Sequence, residues 1–113
     1  MEVQDVSFEG NEAQIIVATP EGGFEGASCG DLNEGAKAVF VKIYDDAGWN
    51  GGALVVFKGG LVDTTTGQPA PDVNTGIFTM SASLASQIEW SNEDVLFNID
   101  WDNYRDFCHP ALQ

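Results

Sequence analysis

The sequence predicts an all-β domain, an antiparallel β-sandwich or jelly roll of six to eight strands. Three observations carry that expectation. Short apolar runs alternate with a period of two, which sends successive side chains to opposite faces of a pleated strand. Thirteen glycines fall largely between those runs, where tight turns need them. The best alternation lies at residues 95–101, where Val95, Phe97, Ile99 and Trp101 point one way and Leu96, Asn98 and Asp100 the other. At 113 residues the length predicts one domain spanning residues 1–113.

The elements follow in chain order. Val3, Val6 and Phe8 define a first strand, Gly10-Asn11 a turn, and residues 13–19 a second strand that Pro20 stops. Residues 20–35 hold Gly22, Gly23, Gly26, Gly30 and Gly35 and read as loop. Residues 36–45 read as a third strand, with Val39, Val41 and Ile43 on one face and Phe40, Lys42 and Tyr44 on the other. Asn50-Gly51 offers the positive φ of a hairpin turn, residues 53–57 the return strand, and Gly59-Gly60 its end. Residues 59–76, with Thr64-Thr65-Thr66-Gly67, Pro69 and Pro71, form a loop long enough to serve as an interface arm. Residues 76–82 make the next strand, 83–86 a turn or one helical turn, 87–90 a short strand and 91–94 a turn, before the last strand at 95–101.

Charge excludes more than it assigns. Eighteen acids against four bases give −14. Neutralising phosphates needs Lys and Arg, so direct binding to DNA, RNA or anionic lipid is disfavoured, while a basic partner, bound cations or a saline habitat fit. No stretch approaches the ~20 apolar residues of a membrane span. Met1-Glu2 opens neither a basic nor an apolar signal region. Either the protein is made without export or an export signal has been removed.

Cys29 and Cys108 are the only cysteines. Paired, they close most of the chain, stabilise it by roughly 4–5 kcal/mol and imply an oxidising compartment. Unpaired, they are two small thiols. Their separation matches no metal finger.

Little in the chain points to catalysis. The one histidine, His109, lies beside Pro110 near the end of the sequence, and general acid–base work needs a held geometry. No glycine-rich phosphate loop is present; Gly48-Trp49-Asn50-Gly51-Gly52 reads as a hairpin tip. No cofactor is expected. Asp100, Asp102 and Asp106 are candidate calcium ligands, since calcium takes six to eight oxygens, but Arg105 stands where an EF-hand loop needs glycine. Trp49 and Tyr44 are candidate interface residues, because Trp and Tyr are favoured at interfaces. Trp90 and Trp101 read as core.

The stretch AKAVFVKIYDDAGWNGGALVVFKGG, residues 36–60, resembles an element of phage and virus virion proteins. There a hydrophobic strand, a turn with Trp and Gly and a second strand form a β-sandwich hairpin. The usual charged turn after the second strand is Gly59-Gly60-Leu61 here. The resemblance implies a non-catalytic structural or decoration protein, a homo-oligomer or capsid-bound, located in the virion or in the cytoplasm at synthesis. It supplies no catalytic residue. The competing readings are an exported acidic binding module for a glycan or basic protein, periplasmic or extracellular with a Cys29–Cys108 disulfide, and an acidic inhibitor that mimics nucleic acid.

Overall fold

A computed structural model describes residues 2–19, 28–61 and 65–113. Five strands form one mixed sheet in the order β1-β2-β3-β4-β5. The expected all-β sandwich is therefore corrected: this is an α/β domain with one sheet and helices packed on it.

The N-terminal hairpin forms where the alternation places it. β1 (Glu2–Glu9) and β2 (Glu12–Thr19) are antiparallel. Gly10, at φ 60°, supplies the left-handed residue of their two-residue connection. Phe8 faces Ala13, Val6 faces Ile15 and Val3 faces Val17, with an irregularity between Val3 and Asp5.

The chain then crosses over to β3 (Gly52–Gly59), which runs parallel to β2 with Ile15 beside Val55. A parallel neighbour needs a long connection, usually helical, and that connection is α1 (Cys29–Val41), continued by a π-helical turn at Lys42–Asp46. Residues 36–45 are thus helix and not the expected third strand. Two features decide it. Ser28 caps the helix, accepting from the Asp31 amide while the Asp31 carboxylate accepts from the Ser28 amide. Leu32, Ala36, Phe40 and Tyr44 recur every four residues and are all buried, forming one helical stripe. Asn50-Gly51 makes no hairpin either. Gly51 lacks a positive φ; it is glycine because a Cβ there would collide with the Asn11 carbonyl oxygen.

β4 (Asn74–Met80) pairs antiparallel with β3, and β5 (Arg105–Cys108) with β4. Between them come α2 (Ala82–Ala85), α3 (Glu93–Asn98) and a 3-10 turn at Trp101–Tyr104. Residues 87–90 are not a strand, and the expected last strand at 95–101 is α3 and the start of the 3-10 turn. Asn92 accepts from the amides of Asp94 and Val95, and Glu93 and Asp94 sit in the first turn, where negative charge favours a helix. Residues 20–27, part of the expected loop, and residues 62–64, part of the expected arm, lie outside the described residues.

The core fills the space between one face of the sheet and the helices. Ile15, Val17, Val55, Phe57, Phe78 and Met80 contribute from the sheet, all at most 2% exposed. Phe40 lies over them, its ring 6.0 Å from Trp101 and 6.4 Å from Trp90. The opposite sheet face is partly exposed, with Ile16, Val56, Ile77 and Phe107 in one row across four strands.

Candidate functional site: the acidic groove between α1 and α3

Because Leu32, Ala36, Phe40 and Tyr44 face inward, the three- and four-residue spacing of a helix turns another stripe of α1 outward: Glu34, Lys37, Ala38, Val41 and, in the π turn, Lys42 and Asp45. This stripe walls a groove of about 750 Å³ whose other wall is α3 and the turn before it. Trp90, 9% exposed, lies at its base. Leu96 packs inward at 5% exposure, and Phe97, the next residue on the short helix, stands 82% exposed at the rim. No other large apolar side chain among the described residues is as exposed.

The groove is acidic. Glu34, Asp45, Asp46, Glu93 and Asp94 line it against Lys37 and Lys42. Among the described residues the sole ion pair is Arg105–Asp102, neither of which lines the groove. The five carboxylates therefore form no ion pair among the described residues. Nor do they converge: among the described residues no three His, Cys, Asp or Glu side chains are placed to hold a metal. Spread carboxylates around an apolar floor suit a ligand with distributed positive charge.

The residues singled out from sequence go elsewhere. Tyr44 is core, 8% exposed, stacked on Trp90 with centroids 4.8 Å apart and donating its hydroxyl to the Gly51 carbonyl at 2.8 Å. This places the Tyr44 interface candidate among the buried residues. Burial and then the Glu12 carboxylate push its phenol up to about 12. Trp49 is half-buried, 5.0 Å from the Phe8 ring, with its indole N–H donating to the Gly52 carbonyl at 2.9 Å. Its ring thereby links the hairpin to the start of β3.

Each candidate calcium ligand has a protein partner. Asp100 accepts from the Asp102 amide and caps the 3-10 turn. Asp102 accepts from Asn33 and pairs with Arg105, both at 2.6 Å; the Asn33 hydrogen bond and then the Arg105 charge hold its carboxyl below the usual range. Asp106 accepts from the Thr79 hydroxyl at 2.6 Å. His109 caps the C-terminal 3-10 turn through Nδ1. Cys29 and Cys108 form a disulfide that ties the first turn of α1 to β5.

Tyr44 gives one prediction. Ionising a phenol already held at about 12 is opposed by the fold, whereas the unfolded phenol ionises near ~10. Stability from this residue is full below the unfolded value and is lost as pH rises from there through about 12. In ultraviolet titration, one of the two tyrosines should ionise late, and Tyr44→Phe should remove that phase. A single early phase for both would contradict the burial argument.

Comparison with protein-family models, curated proteins and solved structures finds no match. The class of molecule is thus defined by its own geometry: a disulfide-tied α/β domain with an acidic, apolar-floored groove. No helix among the described residues is long and apolar enough to cross a membrane.

Proposed function

We propose that the chain is a non-catalytic binding module for a basic protein segment, acting in an oxidising compartment. The observation that carries the reading is Phe97, 82% exposed at the rim of a groove whose five carboxylates have no ion-pair partner among the described residues. An aromatic anchor beside a groove where five acids outnumber Lys37 and Lys42 suits recognition of a basic protein segment. Opposite charge on the partner would accelerate encounter and set specificity. The same acidity disfavours nucleic acid and anionic membrane as ligands. The Cys29–Cys108 bond favours the exported reading, since disulfides persist in oxidising environments. Residues 36–60 run from α1 through the π turn into β3 and do not form the hairpin that the virion resemblance implies.

The test is selection of random dodecapeptides displayed on phage against the protein and against Phe97→Ala. The wild type should enrich sequences with Lys or Arg flanking a Leu or aromatic residue. Those peptides should bind the variant about 30-fold more weakly, the scale of a hot-spot truncation near ~2 kcal/mol. Enrichment of acidic or purely polar sequences, or equal binding to Phe97→Ala, would sink the assignment.

A further inference from the structure

A second surface, on the far flank of the sheet, has the features of a strand acceptor. Among the described residues β1 pairs with β2 alone and stands at the edge of the sheet. An edge strand presents a row of unpaired backbone donors and acceptors, which natural proteins cover, bulge or charge. Here α1 leaves it uncovered. Val3, Val6 and Phe8, on the helix-facing side, are 50%, 47% and 63% exposed. A groove of about 260 Å³ runs between Val3, Val6 and α1, reaching Val39 and Ile43.

The other face of the same strand is charged in a way the fold does not resolve. Asp5, Ser7 and Glu9 lie opposite Ile16, Gln14 and Glu12 of β2. Glu9 and Glu12 are thus directly opposed carboxylates, and like charges so placed destabilise a sheet. Gln14 reaches both, at 3.3 Å and 3.5 Å, but brings no charge.

We propose that the β1 edge binds an extended segment of a partner protein whose residues alternate between apolar and basic. Its backbone would continue the sheet by β-augmentation. Its apolar residues would lie beside Val3, Val6 and Phe8, and its Lys or Arg residues beside Asp5 and Glu9, relieving the carboxylate pair. A second copy of this chain fits poorly. Antiparallel self-pairing centred on Ser7 sets Asp5 opposite Glu9 of the second chain, adding repulsion where attraction is needed, between molecules that each carry −14. The acids and the irregularity after Val3 therefore discourage self-association while leaving the edge open to a basic strand.

The probe is a capped octapeptide of four alternating lysine–valine pairs, titrated into the intact oxidised protein by calorimetry, with amide exchange followed by NMR. Expected are saturable binding, slowed exchange of β1 amides, and at least tenfold weaker binding to Asp5→Lys/Glu9→Lys. Both positions are exposed, and the substitution at position 9 sets a cation opposite Glu12, so the variant should fold; its unchanged NMR fingerprint away from β1 verifies that. A version of the peptide N-methylated on one hydrogen-bonding edge should not slow β1 amide exchange, and in Phe97→Ala the parent peptide should still slow it. Three results would overturn the proposal. The first is equal slowing of β1 amide exchange by the N-methylated peptide, or by a block peptide with its four lysines preceding its four valines. The second is loss of β1 amide protection by the peptide in Phe97→Ala. The third is a wild-type dimer that Asp5→Lys/Glu9→Lys alters.

Discussion

Replacing Cys29 and Cys108 together by alanine is expected to lower the unfolding free energy by about 4 kcal/mol. The bond joins residues 79 apart, so it closes most of the chain in the unfolded ensemble and removes much of its entropy. Against a typical total of ~5–15 kcal/mol for a domain, that is a large share. The effect should reside mainly in the unfolded state, because the bond connects elements that the core already holds. Leu32 and Ala36 of α1 are fully buried, and β5 is hydrogen-bonded to β4. Urea melts of the oxidised protein and the double variant give the difference directly, and the oxidised protein with dithiothreitol should behave as the variant does. A change under about 1 kcal/mol would mean that the unfolded chain is already compact, contrary to the chain-entropy model. Because the bond anchors the N-terminal turn of α1, its loss should also loosen the wall of the acidic groove. A compartment that reduces it would then weaken binding of the basic segment.

How much of this is legible in the residues depends on which competing pattern each segment carries. The hairpin of β1 and β2 is legible because Val6, Phe8, Ala13, Ile15 and Val17 allow only a period of two. β3 and β4 are legible for the same reason. Residues 36–45 carry both periods. β-Branched Val39, Val41 and Ile43 imitate a strand, while Ala36, Phe40 and Tyr44 extend a helical stripe begun by Leu32. Local alternation cannot separate these, since an apolar run satisfies both. The deciding signal lies upstream, in Ser28 and Asp31, which make a capping box even with Asp in place of the usual Glu. Similarly, Asn92 followed by Glu93 and Asp94 announces a helix start that the alternation at 95–101 obscures.

That second ambiguity also hides the site. Placed on a strand, Phe97 belongs with Ile99 and Trp101 on the core face. Placed on a six-residue helix, it lies one residue beyond Leu96 and so turns about 100° away from the core. The acidic rim is visible in the sequence only as net charge, because Glu34, Asp45, Asp46, Glu93 and Asp94 come from segments that meet only after the crossover. Trp49 misleads in the opposite direction. Its glycine neighbours suggest presentation to solvent, but Phe8 and the Gly52 carbonyl draw the indole inward. The first is remote in the sequence, and the second is a backbone group that no residue type announces.

The same crossover makes Phe40 the residue on which the helical layer depends, and Phe40→Ala should cost about 3–5 kcal/mol. Its side chain is fully buried and its ring meets three others: Trp101, stacked at 6.0 Å, Tyr44 at 6.3 Å and Trp90 at 6.4 Å. Those partners come from the π turn that continues α1, the turn before α3 and the 3-10 turn, so one ring joins three separate pieces of backbone to the sheet. Truncation leaves a cavity with rigid aromatic walls, which collapse poorly, and this places the cost toward the upper end for a phenylalanine. Phe40→Leu, which keeps most of the volume, should lose far less. Near-ultraviolet circular dichroism provides a local readout, because Phe40 packs against the rings of Tyr44, Trp90 and Trp101. The expected result is a weakened aromatic signal in Phe40→Ala with the β1–β2 hairpin amides still protected. The groove follows from the same packing. Trp90 is both a neighbour of Phe40 and a lining residue of the groove, so a cavity at position 40 should reduce affinity for a basic peptide without altering any groove residue. If Phe40→Ala kept full affinity and a native aromatic spectrum, the helical layer would not rest on this ring, and the groove would have to be held by the disulfide and the α3 cap alone.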